Sequence, residues 1–364
     1  MDQPCRRPVA ESDRIFYDGM RGTLTFAGQS WPLQADSLES MRSAVQVPWQ
    51  GAIVDFLERW WGEEVTIAVH TSGSTGEPRP LSHAKSDMVE SARRTIAYFG
   101  LTPGTQAGLA MPVQFIGGMM MVVRADVGGW NLTAVQPQST PQLGADLDFA
   151  ALTPAQAQAW QQAYPDEWAS CKQLLLGGGQ APVAWLNGVQ GGPVVHEGFG
   201  MTETISHFAV RQMHPNHEDS FQCLPGFTVS ADDRNALRVE GPDGRTLQTN
   251  DAAEIQDAQS FRWLGRLDEV INSGGIKIHP AAVERELASA IDGPFKCYGE
   301  PHPQWGQALV LRVHAAGEPA DAERERARIT EWARTNLPPH HAPKRIEWMP
   351  LETTASGKWK RPRT

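Results

Sequence analysis

Apolar and polar positions along the chain switch between a period near two and a period near 3.6, and the switches mark the elements. An apolar stretch at Ile15-Phe16-Tyr17 and the alternation Thr23-Leu24-Thr25-Phe26 come first, and then Ile53, Val54, Phe56, Leu57, Trp60 and Trp61 recur at the spacing of a helix face. Val65, Ile67 and Val69 alternate as a strand that runs into hydroxyls and glycines. Residues 82–98 read as a helix with Met88, Ala92 and Ile96 on one face and Gly100 as its stop. A short buried strand at 108–112 precedes a Met-rich apolar helix ending at Val123, whose methionines suit core filling. Strands at 131–135 and 172–176 flank a helix at 154–164, and a further strand leads to a loop at 198. From 226 to 264 the segments are short and alternating, with turns at Pro242-Asp243-Gly244 and Thr249-Asn250-Asp251. Two strands around Gly274-Gly275 then precede a helix from Pro280, with Val283, Leu287 and Ile291 on one face, and another helix over 321–336.

Strands alternating with helices predict an α/β fold: a large N-terminal domain of mostly parallel sheets flanked by helices plus a β-rich subdomain, then a small mobile α+β C-terminal domain. The expected boundaries are 1–264, a hinge at 265–268, and 269–364. Parallel sheets bind ligands beyond the carboxyl ends of their strands, and three glycine or polar loops follow strands here, at 71, 177 and 198.

Composition narrows the partners. With 40% hydrophobic and 20% charged residues the chain is globular, and its formal charge of -10 argues against gripping a nucleic-acid backbone. Cys5, Cys171, Cys223 and Cys297 are scattered without CxxC or metal spacing, which fits a reducing cytoplasm. No apolar run reaches the length of a membrane span. A small-molecule partner is expected, and a homo-oligomer is compatible with all of this.

The loops carry the chemistry. Thr71-Ser72-Gly73-Ser74-Thr75-Gly76 is built to hold phosphate, because glycines let the backbone approach an anion and hydroxyls add uncharged donors, although it is not the Walker pattern. In Phe199-Gly200-Met201-Thr202-Glu203 the ring offers a face to a flat base, Thr202 a phosphate donor, and Glu203 a hard carboxylate suited to Mg²⁺. Taken alone, each is also an ordinary polar turn.

Together with Asp251, Gly265-Arg266-Leu267-Asp268 and Ser356-Gly357-Lys358, these motifs resemble, in order, the signatures of the adenylate-forming superfamily, which includes acyl-CoA synthetases, adenylation domains and luciferases. The resemblance runs from about residue 65 onwards. It implies that residues 71–76 wrap the β- and γ-phosphates of ATP, that Phe199, with Gly200 and Met201, lies at adenine where Tyr is common, and that Thr202 contacts the α-phosphate. Glu203 would hold Mg²⁺, Asp251 the ribose with help from Arg266, and Asp268 would be the hinge. Lys358 would reach the carboxylate and α-phosphate during adenylation. After rotation of the small domain, Gly274 and Gly275 would line the channel for CoA.

The wording around the motifs is similar to short o-succinylbenzoate-CoA ligases of menaquinone biosynthesis. That implies ATP-dependent adenylation of 2-succinylbenzoate and thioesterification to CoA, with AMP and pyrophosphate released. The acid would lie among Gln114, Phe115, Gly177, Gly178, Gly179, Ser206 and His207. Another aryl- or acyl-CoA ligase, or an adenylation enzyme loading a carrier protein, shares the scaffold. Two departures stand out: Arg79-Pro80 replaces the usual Lys-Gly after the phosphate loop, and Gln114-Phe115 stands where relatives have a His.

Overall fold

The computed structural model describes residues 21–70, 80–353 and 359–362. The expected phosphate loop with Arg79, the expected catalytic Lys358, Cys5 and the apolar stretch Ile15-Phe16-Tyr17 lie outside them. By packing, the chain divides into one unit drawn from Met1–Ala181 and Val189–Asn216 and a second drawn from Pro182–Gly188 and His217–Thr364.

The first unit holds β1 (Thr23–Phe26), β2 (Gln29–Pro32), α1 (Leu38–Ser43), α2 (Pro48–Trp61), β3 (Thr66–His70), β4 (Pro80–Ala84), α3 (Lys85–Phe99), β5 (Gln106–Leu109), α4 (Ile116–Gly128), β6 (Asn131–Ala134), β7 (Phe149–Leu152), α5 (Pro154–Ala163), α6 (Pro165–Ser170), β8 (Gln173–Leu176), β9 (Val194–Met201) and β10 (Ser206–His214). Within it the strands run in the order β10-β9-β8-β7-β5-β6-β1-β2. The pairings from β9 across to β1 are parallel, and the strands at either side are antiparallel. Crossovers through α4, α5 and α6 supply the helices that a parallel sheet needs on its faces.

Sequence chemistry explains these elements. In α3, Met88, Ala92, Ile96 and Phe99 are buried, and Gly100 ends the helix in the left-handed conformation. Thr153 and Gln156 form a capping box for α5, with Pro154 in its first turn. α4 is buried on every side from Gly118 to Gly128, as an all-round apolar helix must be.

Several boundaries differ from the expectation. Residues 82–84 are not helical: β4 returns antiparallel to β3, with Ile67 opposite His83 and Val69 opposite Leu81, and the helix starts at Lys85. Pro80 lacks the N–H and favours extended backbone before it, so the alternation of Leu81 and His83 prevails over helical period. α4 continues five residues past Val123, because Arg124 and Asp126 are buried within it rather than ending it. The short β7 carries no turn or period signal strong enough to announce it.

In the second unit α7 (Val183–Gly188) is followed by β11 (Phe221–Cys223), β12 (Thr228–Ala231), β13 (Ala236–Glu240), β14 (Thr246–Asp257) and β15 (Ser260–Arg266), an antiparallel set in the order β12-β13-β14-β15-β11. The predicted turn at Thr249-Asn250-Asp251 is instead part of β14, whose ladder to β15 runs from Asp251 to Asp257. Next come β16 (Ile271–Ser273), β17 (Ile276–Ile278), α8 (Pro280–Leu287), β18 (Phe295–His302), β19 (Gly306–Val313), α9 (Ala322–Asn336) and β20 (Arg345–Trp348). Ile271, Ile278, Val283, Leu287, Cys297, Leu309, Leu311, Ile329 and Trp348 share one core there. The sequence-based boundary at 265–268 falls inside this unit, where a 3-10 turn, Leu267–Glu269, joins β15 to β16. Among the described residues no helix is long and apolar enough to cross a membrane.

Candidate active site

In the first unit, neighbouring strands bring distant residues to one sheet edge. β5 ends at Leu109 and leads to the exposed Gln114 and to Phe115, which caps α4; β8 ends at Leu176 and leads to Gly177-Gly178-Gly179. Leu176 is in parallel register with Glu197, so the glycine turn leaves the sheet beside Gly198 and Phe199. The predicted loop at 198 is strand as far as Met201, because β10 returns along β9 and pairs Ser206 with Met201. That close return requires glycine at 200, where a Cβ would sit 2.1 Å from the Ser206 carbonyl oxygen. The Phe199 ring meets Phe208 edge-on at 5.7 Å.

Beyond Met201 the chain makes a 3-10 turn, Thr202–Thr204, and then strains. Ile205 has φ +55 and Ser206 φ +89, a region that side-chain-bearing residues rarely enter and that β-branched residues avoid most. Thr204 Oγ1 closes the turn by accepting from Met201 N at 3.0 Å and donating to the Ser206 carbonyl at 2.7 Å. Thr202 is buried and Glu203 exposed.

Arg124, which the sequence reading passed over, is 1% exposed in the middle of α4. It donates to Ser206 Oγ at 3.0 Å, its Nε has no partner, and it meets no carboxylate among the described residues. Burial pushes the guanidinium down to about 9. His207, also buried, has Nδ1 at 3.3 Å from Ser206 Oγ and Nε2 at 3.4 Å from Thr95 Oγ1. Burial, and then the positive Arg124 and Arg94, hold its pKa well below the usual value, so the ring is neutral at pH 7. A signal for Arg124 was available: it is a lone cation in the run Met119-Met120-Met121-Val122-Val123-Arg124-Ala125. A buried cation is costly without an anion, which makes it a place for one.

A second buried arginine in the unit is matched. Arg211 on β10 pairs with Glu197 on β9 at 2.5 Å, and the other oxygen of Glu197 accepts from Ala181 N at 3.2 Å, at the end of the glycine turn.

In the second unit Asp251 and Arg266 face each other across the β14–β15 ladder. Asp251 accepts from Trp263 Nε1 at 3.0 Å and lies 3.9 Å from Arg266. Burial raises its pKa, and the bond from Trp263 and the charge of Arg266 oppose that rise. Arg266 also holds both oxygens of Asp268, at 2.9 and 3.2 Å. Gly274 and Gly275 form the two-residue turn of the β16–β17 hairpin, with φ +58 and +84, as such turns demand. Gly274 N donates to the Trp305 carbonyl at 2.9 Å. The Trp305 side chain, missed in the sequence, is partly exposed and stacks on His302 at 4.0 Å, with Lys344 Nζ 5.4 Å from its ring.

Lys358 is outside the described residues, and the described residues nearest to it are Thr353 and Trp359. Thr353 bridges to Trp359, Lys360 N donates to the Glu352 carbonyl at 2.8 Å, and Arg361 pairs with Glu269 at 2.9 Å and with the buried Glu284. Glu284 would rise on burial, yet Lys296 and Arg361 bring its pKa below the usual value.

Among the described residues no group of three or more His, Cys, Asp or Glu could enclose a metal ion. A single exposed carboxylate at Glu203 fits Mg²⁺, which keeps waters and takes nucleotide phosphates as its other ligands.

A family model for AMP-binding enzymes matches residues 27–255, and one for the AMP-binding enzyme C-terminal domain matches residues 296–358. A 2-succinylbenzoate–CoA ligase of Enterococcus faecalis is 30% identical over 338 residues, covering 81% of this chain and 68% of that protein. A feruloyl-CoA synthase of Amycolatopsis is 27% identical over 345 residues, with 81% and 68% covered. The crystal structure of an acyl-CoA synthetase (AMP-forming)/AMP-acid ligase II-like protein from Dyadobacter fermentans is similar at 32% identity and TM-score 0.57, covering 86% of this chain and 93% of that one.

Proposed function

The chain belongs to the AMP-binding enzyme family, as an acid–thiol ligase that forms an acyl-adenylate, and from that premise we propose that its acid is 2-succinylbenzoate and its thiol that of CoA. The observation that carries the substrate is Arg124. Its buried charge, with no carboxylate among the described residues and Ser206 and His207 beside it, suits an acid that brings a second carboxylate. A dianionic arylcarboxylate presents one carboxylate for activation and leaves the other to neutralise the guanidinium, with neutral Ser206 and His207 as further hydrogen-bonding groups. The similarity to a feruloyl-CoA synthase favours a second reading, a monoanionic aryl acid, which would leave Arg124 uncompensated.

In the first step an oxygen of the succinyl carboxylate attacks the α-phosphorus of ATP, a P–O bond forms, and the bond to pyrophosphate breaks. Two anions approach each other, so the site needs donors and cations placed in advance. We assign Thr71, Ser72, Gly73, Ser74, Thr75 and Gly76 to the β- and γ-phosphates, Thr202 to the α-phosphate, the Phe199-Gly200-Met201 edge to adenine, and Asp251 with Arg266 to ribose. Mg²⁺, held by Glu203, neutralises phosphate charge when bound. Lys358 serves as a point charge at the reacting carboxylate. In the second step the CoA sulfur attacks the acyl carbon, its proton is lost, and AMP leaves. Gly274 and Gly275 line the pantetheine path, and Trp305 with Lys344 offers an aromatic face and a cation to the nucleotide end of CoA. Asp268 is the hinge between the two steps, held meanwhile by Arg266.

The test is ATP–pyrophosphate exchange across a panel of acids. Exchange that depends on 2-succinylbenzoate, with CoA then releasing AMP, is expected; exchange with ferulate, benzoate or fatty acids but none with 2-succinylbenzoate overturns the assignment. Lys358→Ala is expected to abolish exchange while CoA still consumes preformed acyl-adenylate.

A further inference from the structure

The strained turn after Thr202 is held from outside itself. His83 Nε2 donates to the Thr202 carbonyl at 2.8 Å, and Ser91 Oγ on α3 donates to the Ile205 carbonyl at 2.9 Å. His83 sits on β4 opposite Ile67, so it belongs to the β3–β4 hairpin that brackets residues 71–79, and it is 8% exposed. A backbone with φ +55 at an isoleucine and φ +89 at the next serine persists only where surrounding bonds over-determine it. Here the bonds come from the hairpin, from α3, from Thr204 within the turn and from Arg124 on α4.

We propose that His83 and Ser91 are positioning residues that lock the Thr202–Ser206 turn, so that the hairpin bearing the triphosphate loop sets the placement of the Glu203 carboxylate for Mg²⁺. This rests on the reading of Glu203 given above. A mere core histidine would be satisfied by any buried acceptor; this one takes a carbonyl that directly precedes the metal-binding residue. The Thr202 carbonyl can only accept, so Nε2 carries the proton that the turn requires. Ser91 fixes the far end of the same turn, immediately before the serine that receives Arg124.

The experiment measures thermal stabilisation of the full chain by ATP, with Mg²⁺ and with a chelator, alongside the Mg²⁺ dependence of pyrophosphate exchange. For His83→Phe we expect the Mg²⁺-dependent increment of Tm to shrink and half-saturating Mg²⁺ to rise about tenfold, the low end of what losing an outer-shell hydrogen bond costs a metal site. His83→Gln, which keeps an N–H donor, recovers most of that loss, and Ser91→Ala shifts Mg²⁺ in the same direction by less. A folded His83→Phe that titrates Mg²⁺ like the parent, while Glu203→Gln does not, overturns the inference and leaves the function standing. If Glu203→Gln also titrates normally, the reading of Glu203 falls first. Should His83→Phe fail to fold, Ser91→Ala decides: an unchanged Mg²⁺ response overturns the inference.

Discussion

Two arginines in the first unit are almost equally hidden, Arg124 at 1% and Arg211 at 2% exposure, yet their surroundings differ in kind. Arg211 lies in the β9–β10 ladder against the carboxylate of Glu197, which in turn holds the backbone of Ala181. Arg124 lies inside α4 with a serine hydroxyl, a methionine sulfur and an unpartnered Nε. The first is a charge the chain completes itself. The second has no carboxylate among the described residues, and under the proposed function the bound acid supplies it.

The comparison can be broken most forcefully at Glu197. Glu197→Ala leaves the Arg211 guanidinium buried without its carboxylate and is expected to destabilise the protein by about 3–5 kcal/mol in urea unfolding. Arg124→Leu should do the opposite to stability, leaving Tm unchanged or raised, because it removes a cation that costs energy to bury. The same variant should lower kcat/KM for 2-succinylbenzoate about a hundredfold, the value of a lost charged hydrogen bond near 3 kcal/mol. Equal destabilisation by both substitutions would erase the distinction. In the second unit Arg361→Met strips Glu284 of one of its two cations, and with Lys296 still at 3.1 Å the expected loss is smaller, about 2 kcal/mol by the same unfolding measurement.

The smallest effect is on pH dependence. His207 and His83 both titrate below the ordinary 6.5 when folded, so the unfolded chain takes up protons first as pH falls. Their contribution is fully present above pH 6.5 and is lost on acidification, by up to about 1.4 kcal/mol per pH unit for each histidine. His207→Asn should flatten the slope of stability between pH 6.5 and 5; an unchanged slope would mean that the histidine is not held neutral by its burial beside Arg124.

Much of the fold could be read from the sequence because α3, α5, α8 and α9 carry clear helical periods and stops, and the Gly274-Gly275 turn has only one sensible use. The β4 return could not, since Leu81 and His83 fit either period until pairing with β3 chooses. Arg124 is hidden by the same logic that finds its helix: an apolar run ends where charge begins, whereas here the charge is inside. His83 and Ser91 stayed invisible because their partners are backbone carbonyls at Thr202 and Ile205, 119 and 114 residues away, and no side-chain pattern encodes a carbonyl.

Arg361 has a consequence for biosynthesis. Glu284 is made 12 residues before Lys296 and 77 residues before Arg361, so until the last segment emerges it has one of its two cations. Completion of this buried ion cluster in the second unit therefore waits for residue 361, after every element around it has been made.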